Sequence, residues 1–184
     1  MNKSNINLKM MCLTGVMAAL YVGFELLTEP MSTALGGDMK ILAFSGLTVM
    51  IVSIFGGPVW GAATGFIGEF LTQLLLWGFA PTTFLWVLPA VIRGLVMGWL
   101  FNAFKKSMAP GVLILETCIT ALVVTLSNTG VMLIDQMLYG YYNSYYAIVV
   151  AIPKRAITGV VTAVIFSLML PTIVNALKGV LKKR

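Results

Sequence analysis

Residues 58–104 read PVWGAATGFIGEFLTQLLLWGFAPTTFLWVLPAVIRGLVMGWLFNAF, and only Glu69 and Arg93 carry charge in that stretch. The turn residues from Gly78 to Pro81 divide it into two apolar runs, Val59–Trp77 and Thr83–Phe104. Each matches the roughly 20 residues that a helix needs to cross a hydrocarbon core about 30 Å thick. A tight break between two such runs specifies a membrane-spanning helical hairpin.

The rest of the chain follows the same pattern. Of its 184 residues 59% are apolar and 10% charged, where a soluble domain carries about 25% charged residues. With a mean hydropathy of +0.97, lipid is the solvent this surface fits. Outward from the hairpin, helices are expected at about Lys9–Leu27 and, shorter, Lys40–Phe55 before it, then Gly111–Ile134 and Ala147–Ala176 after it. Between the last two, Asp135–Tyr146 reads as a tyrosine-rich loop. The fold class is therefore an all-α integral membrane protein, a six-transmembrane-helix bundle forming one domain over residues 1–184. The polar segment Met1–Lys9 and the apolar run after it resemble a signal peptide, but Thr28-Glu29-Pro30 is a poor cleavage site, and retention as the first helix is expected.

Basic residues set the orientation. Lys3, Lys9, Lys105, Lys106, Lys178, Lys182, Lys183 and Arg184 fall on one side, eight of the twelve in the chain. By the positive-inside rule the N- and C-termini are cytoplasmic. The basic tail is a topology signal beside anionic lipid, and nucleic acid is not an expected partner.

The charges that remain lie where a bilayer makes charge expensive, at least ~2.5–3.5 kcal/mol each on insertion scales. Counting helical rise places Glu69 near mid-membrane and Gln73 above it, Arg93 near the middle of its helix, and Asn128, Lys154 and Arg155 in the outer half. Glu25 sits at the outer end of the first helix, whereas Glu116 alone lies towards the inner side. Glu69 and Gln73 share a helical face. Lys154 and Arg155 are adjacent, so one enters a common site while the other turns to a neighbour or to water. A Glu69–Arg93 ion pair that merely fixes the bundle would account for that pair, but not for so many polar groups at one level. Aromatic residues crowd the same side: Trp77, Phe79, Phe84 and Trp86 around one loop, and Tyr139, Tyr141, Tyr142, Tyr145 and Tyr146 around another. They fit an interfacial belt or a lid over a flat ligand. The candidate substrate-binding set is Glu69, Gln73, Arg93, Asn128, Lys154, Arg155, Trp86 and Tyr145.

Small residues recur at helical spacing: Gly57, Gly61 and Gly65, then Gly94 and Gly98, and on the first helix Gly15, Ala19 and Gly23. Such stripes permit close helix approach in lipid. The middle helices are expected to use theirs within the bundle, whereas the first helix has packing and docking to another membrane subunit as alternatives.

The chain has no histidine, and Cys12 and Cys118 lack metal-ligand spacing, so neither a metal site nor a cofactor is expected. Ser127 and Ser144 have no histidine partner, and no enzyme activity is expected.

The segments from Phe55 to Gly65 (FGGPVWGAATG) and from Pro89 to Gly98 (PAVIRGLVMG) resemble the substrate-binding S components of energy-coupling factor (ECF) vitamin transporters, the folate and pantothenate branch most closely. The resemblance covers nearly the whole chain, including Pro153-Lys154-Arg155 opening the last helix core. It implies a subunit that captures one vitamin on the outer side, under the loops between helices 1–2, 3–4 and 5–6. It further implies docking, through a small-residue face here formed by Gly15, Ala19 and Gly23, onto a transmembrane coupling subunit driven by two ABC ATPases. The chain lacks a P-loop of its own. The implied setting is a prokaryotic cell membrane. Arg93, Lys154, Arg155 and Lys40 suit an anionic carboxylate such as that of folate or pantothenate, with a corrinoid or another vitamin precursor as alternatives. An independent small secondary transporter or channel is the rival reading, although no internal repeat supports it.

Overall fold

The computed structural model describes residues 3–34, 44–140 and 145–182. Six helices make up the described chain: α1 Lys3–Ala34, α2 Ser45–Gly56, α3 Pro58–Trp77, α4 Thr83–Ala103, α5 Pro110–Tyr139 and α6 Tyr145–Lys182. Five contain apolar spans long enough to cross a membrane: Leu8–Glu29, Pro58–Trp77, Thr83–Ala103, Pro110–Tyr139 and Arg155–Lys178. Among the described residues the sixth helix, α2, is the short one, as the sequence reading expects. At 12 residues, α2 rises only about 18 Å. Lys40, taken as its start, lies outside the described residues, as do Tyr141 and Tyr142.

α3 and α4 fall within a residue of the sequence reading, because glycine and proline mark the start of α3 and the turn between the two helices. Gly57, at φ +85°, links α2 to α3 in the left-handed region that glycine tolerates. Pro58 takes the first position of α3, where its missing N–H costs nothing. α5 runs past the expected end at Ile134 to Tyr139, where Gly140 caps it in a left-handed conformation. Asp135 is therefore helical, which corrects its assignment to an outside loop.

The helices form an arc. α1 packs on α3, α3 on α4, α4 on α5 and α5 on α6, and α2 fills the interior against α1, α3, α4 and α6. Ten of the twelve α2 residues, Ser45 to Ile54, are buried. A helix apolar all round belongs in such a place. The bundle's outer surface is apolar in turn, with Val16, Leu27, Val59, Trp99, Leu126 and Leu168 each more than half exposed. That inside-out dressing faces lipid, since a polar surface there would stay unsatisfied.

The α3–α4 contact depends on missing side chains. A methyl group added at Gly61 would strike Ser53 and the Gly94 carbonyl, one at Gly65 the backbone of Ala90, and one at Gly98 the backbone of Pro58. The Ser53 hydroxyl, reaching across from α2, donates to the carbonyls of Val49 (2.8 Å) and Gly94 (3.1 Å). These glycines serve packing within the bundle, as expected. The α1 stripe differs. Gly15, Ala19 and Gly23 are exposed, and nothing lies within 4 Å of a methyl group added at Gly15 or Gly23.

The interior divides in two. Towards the end bearing Lys9 and Lys178 lies an apolar core that includes Met17, Met50, Met97, Phe101, Leu113 and Leu170. Towards the other end the interior opens into a cavity.

Candidate functional site

The cavity has a volume of about 980 Å³ and is lined from all six helices. Its size falls at the upper end of small-molecule sites. Helical periodicity explains how so few residues line so much of it. α1 presents Tyr21, Glu25 and Glu29, spaced by four, and α5 presents Ala121, Asn128 and Asp135, spaced by seven. Both spacings keep side chains on one helical face.

Glu69 and Gln73 of α3 meet as their spacing requires, with the Gln73 amide donating to Glu69 Oε1 at 2.7 Å. The hydroxyl of buried Tyr21 donates to Glu69 Oε2 at 2.6 Å. Both carboxylate oxygens of Glu69 thus take donors from the protein, and α1 is tied to α3. Arg93 and Glu25 are close enough to act electrostatically on the same tyrosine. Glu25, only 3% exposed, also accepts a 2.5 Å hydrogen bond from Ser45 at the start of α2. Arg93 lies over Gly46, where an added methyl group would sit 2.5 Å from Nη1. The absence of a side chain at Gly46 is what lets the guanidinium cross to α2 and face the cavity.

Trp86, in the first turns of α4, donates its indole N–H to Asp135 Oδ2 at 3.1 Å, joining α4 to α5. Asp135 is 3% exposed, and its Oδ1 is buried with no hydrogen-bond partner among the described residues. On α6, Arg155 packs its guanidinium against the Met132 sulfur and lines the cavity. Thr158 and Thr162 follow on the same face, their hydroxyls donating to the carbonyls of Arg155 and Thr158. Pro89, inside α4, also lines the wall. Lacking an N–H, it cannot close a helical bond to the carbonyl of Leu85.

The structure therefore brings together Glu69, Gln73, Arg93, Asn128, Arg155 and Trp86 around one space. The side chains of Tyr145 and Lys154 lie outside the described residues. Sequence reasoning missed Tyr21, Thr72 and Thr162 and misplaced Asp135. Its spacing of seven from Asn128 is the signal that would have found Asp135, whereas the threonines bond to their own helices and leave no trace in hydropathy. Among the described residues no group of His, Cys, Asp or Glu is arranged to hold a metal ion.

What this arrangement can do is bind. Charged groups of both signs and amide groups line a half-open space within an apolar bundle, where hydrogen bonds to a ligand are electrostatically stronger than in water. No curated protein matches the chain. A family model describing the substrate-specific component of ECF transporters matches residues 9–174, nearly its full length and every helix that lines the cavity. The chain belongs to the family of ECF transporter substrate-specific components.

Proposed function

We propose that the chain is the high-affinity capture subunit of an ECF-type ABC importer in a prokaryotic plasma membrane, and that its cargo is a water-soluble vitamin. The observation that carries this reading is the 980 Å³ cavity, with charged and amide side chains in its lining, inside a bundle of membrane helices, in a chain of this family. With both termini cytoplasmic, the cavity opens on the outer side. Folate- or pantothenate-type cargo agrees with two guanidiniums in the lining, Arg93 and Arg155, and a corrinoid is the larger alternative. Glu69, Gln73, Arg93, Asn128, Arg155, Trp86, Tyr145 and Lys154 bind the ligand. The described helices work as one domain.

The exposed stripe of Gly15, Ala19 and Gly23 is the contact for the transmembrane coupling subunit, which two ABC ATPases drive. Two apolar surfaces approach closely in lipid only where side chains are small, and the bundle makes no use of this face itself.

Reconstitution tests the reading. Purified chain in detergent binds one vitamin at sub-micromolar concentration without ATP, and liposomes containing the chain with a coupling module accumulate that vitamin only when ATP is enclosed. Gly15→Leu with Ala19→Leu abolishes accumulation and leaves binding intact. Ion-coupled uptake by the isolated chain would overturn the proposal.

A further inference from the structure

Among the carboxylates that line the cavity, Glu25, Glu69 and Asp135 are not equivalent. Glu69 accepts hydrogen bonds from Tyr21 and Gln73, and Glu25 accepts one from Ser45. Asp135 takes a single indole N–H on Oδ2, while its Oδ1 is buried without a partner among the described residues, in a side chain 3% exposed. A buried, unsatisfied carboxylate oxygen costs the folded protein free energy. Trp86 holds the carboxylate in place from one side, and the cavity lies beside both residues.

Resting on the capture-subunit reading, we infer that Asp135 Oδ1 is the acceptor for a nitrogen donor on the ligand, the N–H edge of an amino-substituted heteroaromatic ring. Trp86 fixes the carboxylate and offers an aromatic surface next to it, which a flat ring fills better than an aliphatic ammonium. Seven residues along α4, about 10 Å by helical rise, Arg93 stands on the same cavity wall. A ligand with an amino-heterocycle at one end and an acceptor or anionic group about 10 Å away satisfies both poles. The geometry thus favours amino-heterocyclic vitamins over small aliphatic acids.

The test uses the purified full chain, with binding measured by calorimetry. Folic acid and thiamin are the amino-heterocyclic probes, and pantothenate and nicotinate lack the feature. One of the first pair binds, and Asp135→Asn, which keeps the shape but presents an amide, weakens that binding by about 30-fold or more. Trp86→Phe weakens it less, because the carboxylate stays but is no longer held. Preferred binding of pantothenate or nicotinate overturns the inference, as does an Asp135→Asn affinity within threefold of the parent. Failure of both amino-heterocycles to bind folded protein overturns it too. ATP-dependent uptake of some other vitamin by the reconstituted complex would then show that the capture-subunit reading survives without it.

Discussion

The two ends of the bundle use the same helices for opposite purposes. Near the termini, α1, α2, α4, α5 and α6 contribute methionine, leucine, valine and phenylalanine to a closed apolar core. At the other end α1, α3, α4, α5 and α6 turn tyrosine, glutamate, arginine, asparagine and aspartate inwards around a cavity. The change occurs along single helices: α4 passes from Trp86 and Arg93 to Met97 and Phe101, and α1 in reverse from Met17 to Tyr21 and Glu25. In lipid the hydrophobic effect does not favour one helix packing over another, so shape complementarity holds the closed end. The open end is held by hydrogen bonds between helices, from Tyr21 to Glu69 and from Trp86 to Asp135. One end is scaffold and the other is site.

Substitutions can separate the two. The largest effect is expected at the α3–α4 crossing, where Gly94→Leu drives a side chain into the Gly61 backbone. The protein then fails to elute as a single species in size-exclusion chromatography, and both ends are lost together. Next, Arg93→Ala or Glu69→Ala weakens ligand binding by more than about tenfold while the protein still elutes folded, as a single species, in size-exclusion chromatography. Unchanged affinity in both variants would move the site out of the cavity. Tyr21→Phe removes one hydrogen bond that positions Glu69 and costs about fivefold in affinity, read by calorimetry. The smallest effect belongs to the exception in the scaffold end. Glu116 is fully buried, with neither carboxylate oxygen partnered among the described residues. Its replacement by methionine removes that desolvation cost and raises the midpoint by about 2–4 °C without changing affinity. A loss of binding in Glu116→Met would erase the distinction between the ends.

Much of this was legible in the sequence because a bilayer leaves few options. α3 and α4 were bounded to within a residue by Gly57-Pro58, Gly78 and Pro81. Glu69, Arg93, Asn128 and Arg155 stood out because charge and amide groups are rare in apolar runs. Their convergence followed from counting helical rise from each end. Two boundary errors share one cause, which is that polarity was read as the end of a helix. Lys9 and Asp135 look like boundaries, yet α1 begins at Lys3 and α5 continues to Tyr139. A helix that lines a polar cavity can carry an aspartate without leaving the membrane. The short reach of α2 was visible only in part, since its first turn is set by contacts to Glu25 and Arg93 from other helices.

That short reach has an electrical consequence. α2 starts beside α3 at the level of Glu69, some 18 Å from its junction with α3. Its N-terminus therefore ends partway along the bundle. A helix N-terminus carries roughly half a positive elementary charge, spread over amides that have no partner within the helix. Ser45 and Gly46 place that partial charge against Glu25 and Arg93. Unlike a lysine, it cannot be neutralised by losing a proton. That bias, beside the Glu25 and Arg93 of the cavity wall, is the same at any pH.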